Sequence, residues 1–216
     1  MTTNIKGAIF DIDGTLLDSM HVWENVAGEY LISKGLTPKP DLNEELLLRG
    51  GHEIPRYFQD EYGLHESIDE IRLGIYDLLK GFYLNEAAPK AGALRTLSVF
   101  HSRGVKLCAA TATDRWLIEP ALRRCGLLDF FERIFICSEE RTSKSSPDIY
   151  IRAAAFLRTA IEDTLVFEDA LYAMKSAKSA GFPVAAVYDK SADDKQNEIK
   201  ELCDYYYKSL ADLKLP

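Results

Sequence analysis

Cysteine is sparse in this chain and carries no pairing signal. Cys108, Cys125, Cys137 and Cys203 are widely spaced and form neither a CxxC pair nor a Cys/His zinc spacing. That speaks against a zinc module or a disulfide scaffold. The four read as reduced core thiols, with Cys108 and Cys137 inside apolar strand-like runs. A basic surplus is missing as well. Lys and Arg number 26 against 34 Asp and Glu, giving a net charge of -8 and an isoelectric point near 5.1. A nucleic-acid partner is therefore not expected, since phosphate backbones are held by clustered Lys and Arg. Met1-Thr2-Thr3-Asn4 leads straight towards an apolar run with no charged-then-apolar leader, and no run approaches a membrane span. The expectation is a cytoplasmic protein without a membrane partner, a monomer or weak homodimer. Internal repeats and low-complexity stretches are absent too. What remains is an ordinary globular balance, 47% hydrophobic and 28% charged, over 216 residues. That length suits one large domain or a domain with an insert.

One stretch organises the rest. The run Ala8-Ile9-Phe10 ends at two carboxylates, Asp11 and Asp13, and then at Gly14. A short, partly β-branched run closed by a breaker reads as a buried strand of a parallel sheet. Its carboxyl end is where open α/β sheets place ligands. Two acids that close repel each other, and a divalent cation relieves the repulsion. Taken alone, the stretch is equally an Asp-rich turn after a strand.

Downstream of Asp18 the periodicity is helical. Helices are expected from Met20 to Leu31, after Ser19 as N-cap, and from Leu42 to Leu48, Ile54 to Tyr62 and Ile68 to Tyr83. Strands and helices alternate from Pro89 onward. Strands are expected at 105–110, 134–137, 164–167, 184–187 and 205–207, with helices at 94–102, 116–125, 147–157, 171–180 and 193–202. Right-handed crossovers make such a sheet parallel and cover both of its faces. The triplet Tyr205-Tyr206-Tyr207 reads as an edge strand, because aromatics favour strands.

Several of these strands end in polar groups: Asp11 and Asp13, Thr111, and Glu168-Asp169. Lys144 lies in the loop Ser143-Lys144-Ser145-Ser146-Pro147-Asp148 before a helix. Each has a plain structural reading: a strand-end threonine, a solvated lysine, an N-cap charged to suit a helix dipole. Together, in this order, they resemble the four motifs of the haloacid dehalogenase-like (HAD) hydrolase superfamily. The match runs through Asp11-Ile12-Asp13-Gly14-Thr15-Leu16, the strand ending at Thr111, Lys144 with Pro147-Asp148, and Phe167-Glu168-Asp169 with Ala180-Gly181. The helical insert resembles the small cap of the subgroup containing β-phosphoglucomutase and phosphoglycolate phosphatase. The resemblance implies an α/β fold, a Rossmann-like parallel sheet core with helices on both faces and an inserted all-helical cap domain. The core is expected at residues 1–17 and 87–216 and the cap at 18–86.

The resemblance also implies roles. Asp11 is the nucleophile and Asp13 the general acid/base. Thr111 binds a phosphoryl oxygen, and Lys144 offsets the charge of nucleophile and phosphate. Mg²⁺ is expected on Asp11, the backbone carbonyl of Asp13, and Asp169, with Glu168 bound directly or through water. Ser19, His21, Arg49, Ala112, Thr113 and Arg115 are candidates for facing the substrate, a small phosphorylated metabolite. Arg115 either touches substrate or caps the site. Ala170, Ala173 and Ser145 stand where the subgroup often has serine, glycine and proline. The cap histidine and phosphate-gripping arginine of β-phosphoglucomutase have no clear match, Trp23 and Glu53 falling near their places. The expected activity is thus a Mg²⁺-dependent phosphatase working through an aspartyl-phosphate. The alternative is a β-phosphoglucomutase-like intramolecular phosphoryl transferase. Asp13 argues against a C–halogen hydrolase, and retention of Asp11, Asp13, Lys144 and Asp169 argues against a non-catalytic binding module.

Overall fold

The computed structural model describes residues 5–47 and 53–213. The chain divides into two compact units, Met1–Met20 with Ala87–Pro216, and His21–Glu86.

The first unit is an α/β layer structure. Strands β1 (Gly7–Phe10), β2 (Lys106–Thr111), β3 (Arg133–Ile136), β4 (Thr164–Glu168), β5 (Val184–Val187) and β6 (Tyr205–Tyr207) form one sheet in the order β3-β2-β1-β4-β5-β6. Every pairing is parallel. β1 is central because its short apolar run is buried along its whole length, which only an inner strand of a two-faced sheet allows. The Tyr triplet is half-buried at the edge, as its composition suggests. Phe10 pairs in register with Ala109 on one side and Phe167 on the other. The residues just past these strands therefore share one edge of the sheet. Phe10 and Phe167 stack at 4.3 Å beneath that edge, with Phe100 edge-on to both. The order reverses at β1: the chain goes out through β2 and β3, then returns to the other flank at β4. Ligands of open α/β sheets bind at such a switch point.

Two expected boundaries move. Cys137 does not extend β3. It opens a single helical turn, α7 (Cys137–Glu140), because the ladder with β2 ends at Thr111↔Ile136. The helix expected from Asp193 begins as a 3₁₀ segment, Lys190–Lys195, capped by the Asp189 side chain accepting from the Ser191 amide; the α-helix proper is Gln196–Leu202. All four cysteines are free, and burial pushes the Cys108 thiol up to about 12.

The second unit is wholly helical among its described residues: α1 (Met20–Ser33, whose first residue belongs to the first unit), α2 (Leu42–Leu47), α3 (Ile54–Tyr62) and α4 (Ile68–Asn85). Its core joins Ala27, Tyr30, Leu31, Leu42, Tyr57, Phe58 and Ile71. Ser67 and Glu70 form a reciprocal capping box that starts α4. Trp23 donates its indole N–H to the Tyr83 hydroxyl at 2.7 Å. No helix among the described residues is long and apolar enough to cross a membrane.

Candidate active site

β1 delivers Asp11 to the shared edge, where its backbone N–H donates to the Phe167 carbonyl of β4. The chain then turns tightly: Gly14 N–H donates to the Leu17 carbonyl, and the amides of Leu16 and Leu17 to that of Ile12. Gly14 sits at φ +80°, and a Cβ there would lie 2.3 Å from Asp169 Oδ2. Only glycine meets both demands. Thr15 Oγ1 donates to Asp169 Oδ1 at 3.3 Å, so the β1 loop lies directly on the end of β4.

One oxygen from each of Asp11, Glu168 and Asp169 lies within 4.8 Å of the others, and all three residues are buried. Lys144, only 5% exposed, enters this group. Its ammonium donates to Asp11 Oδ1 and, at 2.7 Å, to Glu168 Oε1. Burial alone would lower the lysine, but the charges of Asp11 and Glu168 outweigh it and hold the ammonium well above its usual range. Burial raises the Glu168 carboxyl to about 7, Lys144 offsetting only part of that cost. Asp169 is raised by burial and then by the charges of Asp11 and Glu168. Three buried carboxylates with one ammonium lack positive charge.

A divalent cation fits this group on an observation independent of family. Glu168 Oε2 is fully buried and has no hydrogen-bond partner among the described residues. A buried carboxylate oxygen left so is costly unless a cation takes it. Three oxygen donors of this kind suit a hard ion such as Mg²⁺.

The other expected residues are placed as follows. The Asp13 carboxylate accepts two hydrogen bonds: Ser19 Oγ donates to its Oδ1 at 2.6 Å and Thr113 Oγ1 to its Oδ2 at 2.7 Å. Ser19 and Thr113 thus hold an acid. Thr111 is buried at the end of β2, its Oγ1 accepting from the Thr113 amide. Ala112 is exposed beside it. The guanidinium of Arg115 grips Glu139 through two bonds, at 2.8 and 2.7 Å, and also donates to the Ile134 carbonyl. His21 belongs to the second unit, with its ring edge-on to Phe82. Arg49 lies outside the described residues.

Two residues went unforeseen. Tyr150, on α8 (Asp148–Leu157), donates its hydroxyl to Glu168 Oε1 at 2.8 Å. Lys90 donates to the Gly14 carbonyl at 2.6 Å, the Tyr188 carbonyl at 2.8 Å and Asp189 Oδ2 at 2.8 Å. Both look like ordinary residues in the sequence. The one available signal was an unexplained lysine beside a proline.

The pattern of haloacid dehalogenase-like hydrolases matches residues 5–181, most of the chain, including Asp11, Asp13, Thr111, Lys144, Glu168 and Asp169. The chain belongs to this family. Among curated relatives, it is 24% identical over 177 residues to a phosphorylated carbohydrates phosphatase of Thermotoga maritima, covering 82% of each chain. It is 29% identical over 202 residues to the mitochondrial (DL)-glycerol-3-phosphatase 1 of Arabidopsis thaliana, covering 88% of this chain and 66% of that one. The fold is that of CbbY from Rhodobacter sphaeroides, solved in complex with phosphate, with a TM-score of 0.79 at 24% identity over 97% of this chain and 96% of that chain. The HAD-like chain is accordingly an enzyme of the phosphatase kind.

Proposed function

We propose that this HAD-like enzyme is a Mg²⁺-dependent phosphatase that hydrolyses a small phosphorylated metabolite through an aspartyl-phosphate. The observation that carries the reading is the buried trio Asp11, Glu168 and Asp169 around one ammonium, Lys144, at the switch point of the sheet. Phosphoryl transfer asks mainly for positioning and charge neutralisation, and this group supplies both. The activities of the two relatives named above support a phosphorylated carbohydrate or polyol as substrate.

The Asp11 carboxylate attacks phosphorus as the ester P–O bond breaks, giving an acyl-phosphate on Asp11. Asp13 delivers a proton to the departing alkoxide oxygen. It then takes a proton from the water that attacks the same phosphorus, which frees Asp11 and releases inorganic phosphate. Ser19 and Thr113 fix the Asp13 carboxylate for both transfers. Thr111 donates to a phosphoryl oxygen, and Lys144 holds Asp11 in line while offsetting the added charge. Mg²⁺ would be held by Asp11, Glu168, Asp169 and the Asp13 carbonyl, and when bound it neutralises charge developing on the phosphoryl oxygens. We assign substrate selection to the helical segment, expected at 18–86.

Asp11→Asn tests the reading. Release of phosphate from p-nitrophenyl phosphate is expected to fall by about 10³ or more, as for loss of a covalent nucleophile. Substantial remaining turnover removes Asp11 from that role. With a hexose 1-phosphate, free phosphate supports hydrolysis, whereas hexose 6-phosphate supports transfer.

A further inference from the structure

Glu168 is asymmetric in a way the reaction above does not use. Both of its hydrogen bonds fall on one oxygen: Lys144 Nζ and Tyr150 OH donate to Oε1, at 2.7 and 2.8 Å. Oε2, in the same fully buried carboxylate, has no partner among the described residues. Lys144 alone would not enforce this, because its ammonium is shared with Asp11, and a carboxylate with one donor is free to swing either oxygen towards it. Tyr150 supplies the second point that fixes the plane. Its own placement is rigid. It is fully buried on the first turns of α8, within the core cluster that includes Ile9, Val166 and Met174, and its ring is edge-on to Phe182 at 6.3 Å. A buried tyrosine hydroxyl is most stable with a partner, and the partner here is a carboxylate of the acidic trio.

From this geometry we infer that Tyr150 is a positioning residue for the divalent cation: its hydroxyl, with Lys144, occupies Glu168 Oε1 and so presents Oε2 as the single oxygen that Glu168 offers the ion. The inference rests on the proposed metal role of the trio and adds to it the atom used and the residue that selects it. Groups that orient a metal's carboxylate ligands typically matter to affinity by about 10–100-fold. The tyrosine acts through Glu168, so its effect must vanish when Glu168 can no longer be a ligand.

The test is Mg²⁺ binding to the whole chain, measured by calorimetry and by Mg²⁺-dependent shifts in melting temperature at constant ionic strength. Tyr150→Phe removes one atom and is expected to raise the Mg²⁺ dissociation constant about tenfold. In a Glu168→Gln background the same change should move it less than about twofold, the signature of one residue acting through the other. Tyr150→Phe that binds Mg²⁺ like the parent overturns the inference while leaving the metal role of the trio standing. So does a tenfold loss that persists in the Glu168→Gln background. A Tyr150→Phe chain that has no cooperative melt in EDTA, where Glu168→Gln still has one, also overturns it, because the hydroxyl then serves the fold. A parent chain with neither heat nor melting shift on adding Mg²⁺ overturns the metal role and this inference together.

Discussion

At the scale of single residues, the acidic trio is a balance that one charge tips. Glu168 is buried, and its folded-state carboxyl is raised from 4.5 to about 7. Between those values the folded, metal-free chain holds a proton that the unfolded chain has released. Stability therefore falls as pH rises through that window. Glu168→Gln removes the titration. In EDTA, the melting temperature of the parent should fall relative to Glu168→Gln between about pH 5 and about pH 7. A constant difference across that range would show that the carboxylate is not strained by burial. Gly14 offers a second test at this scale. A Cβ would meet Asp169 Oδ2 at 2.3 Å from a backbone at φ +80°. Gly14→Ala should cost about 1 kcal/mol or more from the left-handed backbone alone. It should also weaken Mg²⁺ binding, because the oxygen it displaces belongs to the trio. Denaturant melts and calorimetry read the two effects separately.

At the scale of elements, the strap formed by Lys90 joins three connections of the first unit. Lys90 lies just before α5 (Ala93–Ser102) and holds the Gly14 carbonyl of the β1 loop. It also grips the Tyr188 carbonyl and Asp189 just past β5. Its partner Asp189 is buried, and Lys90 and Ser191 keep its carboxyl below the usual range despite the cost of that burial. Lys90→Met would strand that charge, at a cost of about 3 kcal/mol, and loosen the loop carrying Asp13. Chemical denaturation should show that loss; a cost within about 0.5 kcal/mol would mean that water replaces the ammonium. The strap also marks the limit of what the sequence reveals. The β1 stretch is legible because a buried parallel strand needs an apolar run and a sharp exit, and both lie within eight residues. The helix from Ile54 is legible because Gly63 ends it locally, and the helix from Ile68 because Ile71, Ile75, Leu78, Leu79 and Phe82 recur at helical spacing. Lys90 and Gly14 lie 76 residues apart, and Thr113 and Asp13 lie 100 apart. No local pattern announces such pairs, since the folded sheet alone brings them together. Cys137 misleads for a related reason: its apolarity fits a strand, but the ladder that decides the matter ends one residue earlier.

At the scale of the whole molecule, all three clustered carboxylates come from one unit, although Asp11 lies more than 150 positions of chain before the other two. Asp11 precedes the helical segment 21–86, and Glu168 and Asp169 follow it. An ion that ties these ends together stabilises the unit in which the sheet lies, by mass action. At a Mg²⁺ concentration about 100 times the dissociation constant, that amounts to about 2.7 kcal/mol against any opening that breaks the site. The helical unit has a core of its own, built on Tyr30, Phe58 and Ile71, so its amides are free to open without disturbing the trio. Hydrogen exchange should therefore slow on adding Mg²⁺ in β1 and β4 and stay unchanged in α3 and α4. Equal slowing in both would mean that the chain opens as a single cooperative block, in which the ion's energy is shared by residues that never touch it.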